Sequence, residues 1–356
     1  MAAATPVKIG LDLGTNTSVV QGEHEGKDLK LKTDMVFTVV GYAKAEVLPG
    51  VLPGNRRVFY GDEAIKHRRY LDLKWPLDKG LVNDLPAARE FIGFLCSLIG
   101  VDGKHEIWSV VGSPARTAPG DLEKLRDALG SNFSRFLIVP EPFLAALGIR
   151  DDARSGDAGY ADPVKASMIV DIGAGSTDLC NLQGFYPTAD DQVYIHKAGN
   201  DVDVKLRQLI EHKYPDAKLH NVSITRLKEE NSFVGPTKKK VTLKLTIHGK
   251  PRELDVSDLI APACELLIPD IVDGVMTLAK RCEQEIADQI LGNIILTGGG
   301  SQISGIAEVI EKQLRERGIA VAKVSRADDY KKLVAKGALK VARMARDDQW
   351  QHPSLS

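Results

Sequence analysis

Apolar residues along this chain fall into three rhythms, and each predicts a different element. Dense apolar runs stand before three glycine-rich turns: Ile9, Leu11 and Leu13, then Met168-Ile169-Val170, then Ile294-Ile295-Leu296. Short runs of this kind read as strands buried on both faces. Strict alternation appears at 240–248, where Val241, Leu243, Leu245 and Ile247 interleave with Thr242, Lys244, Thr246 and His248, predicting a half-exposed strand. Helical spacing covers 87–99, 121–129, 202–212, 259–290 with a break or kink near Pro269, 305–317 and 330–347. Strand-like runs at 35–40, 107–111 and 136–139 lie among them, the Pro/Gly-rich stretch 49–55 must be loop, and polar 154–163 reads as a connector. Such alternation of helix and strand predicts an α/β fold.

Composition narrows the class. At 356 residues, 43% hydrophobic and 27% charged, the chain is long enough for two domains and ordinary for a globular protein. A formal net charge of −1 gives no general attraction for a nucleic acid, so no direct nucleic-acid contact is expected. The run Lys238-Lys239-Lys240 reads as a guard on a sheet edge. Cys96, Cys180, Cys264 and Cys282 are widely spaced and form no C-x-x-C pair, which argues against zinc ribbons and redox motifs and favours a reducing compartment; they read as buried core residues. The N-terminal sequence is unlike a signal peptide and no apolar run approaches the roughly 20 residues of a membrane span, so a cytoplasmic location without direct membrane insertion is expected.

The candidate chemistry sits in the turns. "KIGLDLGTNTSVV" (8–20) and "SMIVDIGAGSTDLC" (167–180) align without a gap, placing Asp12-Leu13-Gly14-Thr15-Asn16-Thr17-Ser18 over Asp171-Ile172-Gly173-Ala174-Gly175-Ser176-Thr177. A glycine directly after a strand permits a sharp turn and uncovers amide N–H groups, and small hydroxyl residues behind it add donors suited to phosphate oxygens. A carboxylate beside a phosphate is tolerated when Mg²⁺ stands between them, since that ion takes carboxylate and phosphate oxygens while keeping several waters. Either turn alone would also suit an ordinary β-hairpin; the repetition points to one Mg-nucleotide held from both sides. Strand-like residues follow each turn, so neither is a P-loop, which runs into a helix. At the third site, Gly298-Gly299-Gly300, bare backbone suits an adenine or ribose, although a strand-to-helix turn accounts for the same glycines. Glu141, between Pro140 and Pro142, is a stiffly held carboxylate at a helix start, which alone is equally an acid stabilising the helix dipole.

Taken in this order, the three sites resemble those of the actin superfamily, shared with heat-shock chaperone ATPase domains and sugar kinases. "DLGTNTS" is similar to the first phosphate loop, "VDIGAGSTD" to the second and "LTGGGSQISG" to the adenosine motif. The segments "GDEAIKHRRYLDLKWPLDKGLVND", "VGSPART", "VPEPFLAALG" and "KAGNDVD" resemble the bacterial filament proteins of the MreB type. Similarity in "YLDLKWPL", "DIGAGSTD", "KAGNDVD" and above all "LKEENSFVG" points to the branch of that family that organises magnetosomes. Ser18 stands where threonine is usual and Ala174 where many relatives have glycine; neither departure should abolish phosphate binding.

The resemblance implies two actin-like domains around a nucleotide cleft: domain I over 1–165 plus 326–356 with a small insert at about 32–77, and domain II over 166–325 with an insert at about 203–260. It implies ATP or ADP with Mg²⁺ held by Asp12 and Asp171, the phosphates on Gly14, Thr15, Asn16 and Thr17 and on Gly173, Ala174, Gly175 and Ser176. Lys228 and Glu229 would touch ribose and base beside Gly298, Gly299 and Gly300; Glu141, with Asp171, would carry catalysis by orienting the attacking water. By residue type alone, Lys228 and Glu229 are an ordinary exposed helical charge pair. It further implies head-to-tail homopolymers and adaptor proteins on magnetosome membranes. The basic helix at 330–347 could lie on a membrane, but its apolar side is mostly Ala and Gly, which favours close packing in domain I. A plasmid-segregating or cell-shape filament would share this chemistry. A sugar or acetate kinase would need an acceptor pocket and a base that cannot be assigned, and a chaperone would need a peptide-binding region where this chain runs only about 50 residues past the third site.

Overall fold

The computed structural model describes residues 5–100, 105–236 and 240–353, so Lys238 and Lys239 of the expected edge guard lie outside the described residues. Backbone proximity divides the chain into Met1–Ser155 with Lys331–Ser356, and Gly156–Tyr330.

The first unit is built on β1 (Val7–Leu13), whose residues Val7, Ile9 and Leu11 line one fully buried face, while on the other face Gly10 is buried and Lys8 and Asp12 are half-buried. It hairpins into β2 (Thr17–His24), which carries the short β3 (Lys27–Asp28) and β4 (Met35–Phe37). The run 35–40 is not one strand. After β4 the chain leaves this sheet at Thr38, and β5 (Val40–Ala43) pairs instead with β6 (Val58–Tyr60) and β7 (Leu71–Lys74). With α1 (Gly61–His67) these three strands enclose their own small core of Val39, Leu52, Phe59, Ala64 and Leu71. A two-residue hairpin, β8 (Leu77–Asp78) and β9 (Leu81–Val82), leads to α2 (Leu85–Leu98), which buries Phe91, Ile92 and Leu95. Then come β10 (Ile107–Ser113), α3 (Pro119–Gly130), β11 (Arg135–Pro140) and α4 (Glu141–Ile149). The main sheet runs β11-β10-β1-β2-β3, with β1, β10 and β11 parallel.

The second unit repeats the theme. Its central strand β12 (Ser167–Ile172) is buried at every position and hairpins into β13 (Thr177–Leu182), followed by β14 (Gln192–Ile195) and α5 (Gly199–Lys213). Helix α6 (Asn221–Asn231) precedes the hairpin β15 (Thr242–Ile247) and β16 (Lys250–Asp255). Inward Val241 and Leu243 join one continuous core with Met168, Val170 and Leu206. The helix expected over 259–290 with a break or kink near Pro269 is broken just before that residue and once more, giving three: α7 (Ser257–Cys264), α8 (Ile268–Ala279) and α9 (Gln284–Leu291). Pro269 does not kink a helix but sits in the first turn of α8, where its missing N–H costs nothing. β17 (Ile294–Thr297), α10 (Ile306–Glu316) and β18 (Val324–Arg326) complete a sheet ordered β14-β13-β12-β17-β18.

The chain then returns to the first unit as α11 (Leu333–Met344). Its small residues permit very close approach. A Cβ added at Gly337 would lie 1.8 Å from the Leu144 carbonyl oxygen of α4, and one at Gly10 of β1 would lie 2.1 Å from the Ala335 carbonyl oxygen. Two of its basic side chains are engaged by the protein: Lys340 donates to the Arg150 carbonyl and pairs with Asp152, and Arg343 pairs with Glu23 and Asp28. Among the described residues no helix is long and apolar enough to cross a membrane. Two of the four cysteines depart from the core reading, since Cys96 and Cys282 are only half-buried; all four are free thiols. Burial raises every one of them, Cys264 to about 11 and Cys96 to about 12, which leaves none poised as a thiolate.

Candidate nucleotide site

The two repeated sequences fold into the same device. In the β1–β2 hairpin Leu13 faces Ser18, and in the β12–β13 hairpin Ile172 faces Thr177, so each turn closes over four residues. A Cβ on Gly14 would stand 2.4 Å from the Thr17 carbonyl oxygen, and one on Gly173 would stand 3.0 Å from that of Ser176. The tightness of the turn itself requires glycine at Gly14, and at Gly173 a side chain would press on the Ser176 carbonyl oxygen so that the turn would have to give slightly.

Each loop is braced through its carbonyls. In the first, the Thr38 N–H donates to the Asn16 carbonyl (2.9 Å), the Thr38 hydroxyl to the Gly14 carbonyl (2.7 Å), and Ser18 Oγ lies 2.9 Å from Thr38 Oγ1. This is the physical reason the 35–40 run changes sheets at Thr38. The Gly80 N–H donates to the Thr15 hydroxyl oxygen (2.7 Å), which leaves the Thr15 O–H proton available. In the second loop the first amides of α5 do the bracing: Gly199 N–H donates to the Gly173 carbonyl (3.1 Å) and Asn200 N–H to that of Ala174 (2.8 Å). Two carbonyls of each loop are consumed by the protein, the Gly173 N–H closes its own turn on the Ser176 carbonyl (2.9 Å), and the positive end of α5 favours an anion nearby. Ser176 departs from expectation. Its hydroxyl donates to Asp178 Oδ2 at 2.7 Å, so its backbone rather than its side chain is what it presents.

The carboxylates differ in setting. Asp12 is half-buried on β1, whereas Asp171 on β12 is 8% exposed and burial pushes its carboxyl up to about 6. A Cβ on Gly298 would lie 2.3 Å from Asp171 Oδ1, so the first glycine of the triplet is where it is because the carboxylate rests against it. Directly across the β12–β13 ladder from Asp171 stands Asp178, only 2% exposed. The motif "VDIGAGSTD" contains Asp178 but by itself assigns it no role. The signal that finds it is the spacing of seven in a hairpin of this register, which puts both carboxylates on one face; at the matching place opposite Asp12 the first hairpin has Val19. Burial raises the Asp171 carboxyl, and a cation bound against it would favour its charged form. One or two carboxylates are what Mg²⁺ asks of a protein that supplies its remaining ligands as water and phosphate, and among the described residues no cluster of three or more acidic, His or Cys side chains forms a fuller cage.

Glu141 is the first residue of α4, half-buried, and reaches over β10. A Cβ on Gly112 would meet Glu141 Cγ at 2.8 Å, so that glycine of "VGSPART" makes room for the side chain. In the triplet, a Cβ on Gly300 would strike Ile172 Cγ2 at 2.2 Å, while Gly299 is exposed with open space before it. Two of the three glycines therefore serve packing against β12, and Gly299 alone presents bare backbone. Lys228 on α6 is turned inward: its Nζ donates to the Gly199 carbonyl (2.8 Å) and pairs with Asp203 (2.9 Å), whereas Glu229 is exposed.

The MreB/Mbl protein family model matches residues 6–349. "Actin-like protein MamK" of Paramagnetospirillum magneticum (strain AMB-1) is 32% identical over 96% of this chain and 94% of its own length. The solved structure of the "MamK double helical filament" superposes with a TM-score of 0.85 at 32% identity, covering 96% of this chain and all of that one. A non-polymerising mutant of MamK, solved bound to AMPPNP, gives a TM-score of 0.67 at the same identity and coverage. The duplicated hairpin, the glycine triplet and these likenesses agree: the chain belongs to the MreB/Mbl family and has the actin-like fold.

Proposed function

We propose that this protein binds Mg-ATP through the loops Gly14–Thr17 and Gly173–Ser176, hydrolyses it, and polymerises into cytoskeletal filaments that position magnetosome organelles through adaptor proteins. The observation that carries the nucleotide reading is the pair of four-residue hairpin turns, each braced through two of its carbonyls, the second following the buried Asp171, whose carboxyl burial pushes up to about 6. MamK, the relative that matches over nearly the whole chain, is described as actin-like and has been solved both as a filament and with AMPPNP, which supports the same reading here.

Mg²⁺, when bound, neutralises phosphate charge and orients the terminal phosphoryl group. The work of the chain's own residues is then positional. Asp12 and Asp171 hold the hydrated cation, with Asp178 keeping Ser176 and the second loop in place. Loop amides donate to the phosphates, Gly299 offers a flat approach to the adenosine, and Glu141 orients a water and receives its proton. Electron microscopy and phosphate release at micromolar protein, with and without Mg-ATP, test the proposal together. Mg-ATP-dependent filaments are expected, and a chain that stays monomeric and releases no phosphate would reject it.

A further inference from the structure

Lys228 occupies a position in the second unit that a simple ribose contact does not explain. Its ammonium and the Asp203 carboxylate are each 14% exposed, 2.9 Å apart, and Asp203 also accepts from the Thr225 hydroxyl at 2.7 Å. The same Nζ donates to the Gly199 carbonyl at 2.8 Å, on the residue whose N–H holds the Gly173 carbonyl. A mostly buried cation is thus placed one peptide unit behind the second phosphate loop. Just past Lys228, at the C-terminal end of α6, the chain is stitched to the segment after the glycine triplet: Val234 N–H donates to the Ser304 carbonyl (2.9 Å), Ser304 N–H to the Ser232 carbonyl (3.2 Å), and Ile303 N–H to the Gly300 carbonyl (3.1 Å). Gly305, at φ +82, lets this segment pass within reach of Val234, since a Cβ there would lie 3.0 Å from the Val234 carbonyl oxygen.

We propose that Lys228 is a positioning residue that braces the phosphate loop Gly173–Ser176, and that α6 thereby couples occupancy of the Gly298–Gly300 turn to the rigidity of that loop. This rests on the nucleotide reading above and gives it a direction: a base seated at the triplet tightens the site that takes the phosphates. The coupling runs through hydrogen-bonded groups in contact, the kind of network in which single substitutions shift coupling several-fold. A lysine that touched the base or ribose directly would act otherwise, changing the preference among nucleotides.

The test uses the full chain and the variants Lys228→Met, Lys228→Arg and Asp203→Asn. In nucleotide-free protein, amide hydrogen exchange at Gly199 and Asn200 should quicken in Lys228→Met and stay near wild type in Lys228→Arg; unchanged exchange in folded Lys228→Met overturns the brace whatever the protein binds. Mg-ATP affinity should fall roughly 3- to 30-fold in Lys228→Met with the ATP-to-GTP ratio unaltered. A changed ratio would assign Lys228 to the nucleoside instead. Asp203→Asn should act in the same direction, and the double variant should fall short of the sum because both residues serve one contact. Adenosine alone, at millimolar concentration, should slow exchange at Gly199 and Asn200 in wild type and not in Lys228→Met. No slowing in wild type overturns the coupling, whereas a wild-type protein that ignores Mg-ATP overturns the nucleotide reading, a separate outcome.

Discussion

Asp171 combines burial, a raised carboxyl at about 6 and a second carboxylate across the ladder, and this makes the nucleotide-free protein less stable than its fold allows. The native value lies above the ordinary 3.8, so the native state holds more protons than the unfolded one in between. Stability from this group is therefore full below about pH 4 and is lost as pH rises through about 6, a penalty on the order of 3 kcal/mol at neutral pH. Asp171→Asn carries no such titration. The stability of the variant relative to wild type, from urea unfolding without nucleotide, should rise between pH 4 and pH 7, and a difference flat with pH would contradict the burial argument. The same variant should lose Mg-dependent ATP binding. Glu141→Ala removes the carboxylate proposed to orient the attacking water but leaves both loops intact, so it should bind ATP and assemble while phosphate release falls about 10²- to 10⁴-fold; filaments should persist longer, and unchanged release would remove Glu141 from catalysis.

At the scale of elements, the crossing of α11 over α4 and β1 is set by glycine. Gly337→Ala would place a methyl 1.8 Å from the Leu144 carbonyl oxygen, on backbone that cannot yield locally. Overpacking of this sort costs roughly 1–3 kcal/mol, and here the upper part of that range is expected in urea unfolding. Gly120→Ala in the first turn of α3 meets nothing within 4 Å and should stabilise, by up to about 1 kcal/mol, because it lowers the entropy of the unfolded chain and raises helix propensity. The same chemical change is thus expected to act with opposite sign at two helical glycines. A stabilised Gly337→Ala would show that α11 does not hold its place.

For the whole molecule the prediction is assembly. A head-to-tail contact whose rotation does not close adds subunits indefinitely, and the proposed filament requires Mg-ATP to favour the subunit conformation that adds. Light scattering should rise on adding Mg-ATP and decay as ATP is consumed, with Glu141→Ala extending the plateau. Scattering that is identical with ATP, with ADP and without nucleotide would separate assembly from hydrolysis.

The pattern shared by 8–20 and 167–180 was enough to place both hairpins, because strand, turn and carboxylate are local properties of sequence and the tight turn crowds any side chain at Gly14 and, less severely, at Gly173. The α/β alternation and most elements were legible for the same reason: periodicity reports burial along one element. What periodicity does not report is which element covers which. Thr38 bracing the first loop, Gly112 making room for Glu141, and two of three glycines packing on Ile172 and Asp171 depend on contacts between residues distant in the chain. Asp178 became a second site carboxylate only through the hairpin register that sets it opposite Asp171. The run 259–290 kept helical spacing through breaks at 265–267 and 280–283, since three short helices lying along one core bury the same rhythm as one long helix. Sequence by itself determined the turns and their chemistry; tertiary structure decided which carbonyls were consumed, which carboxylates met, and that the cation of Lys228 faces inward, because those are set by backbone approach across the fold rather than by any residue's neighbours in the chain.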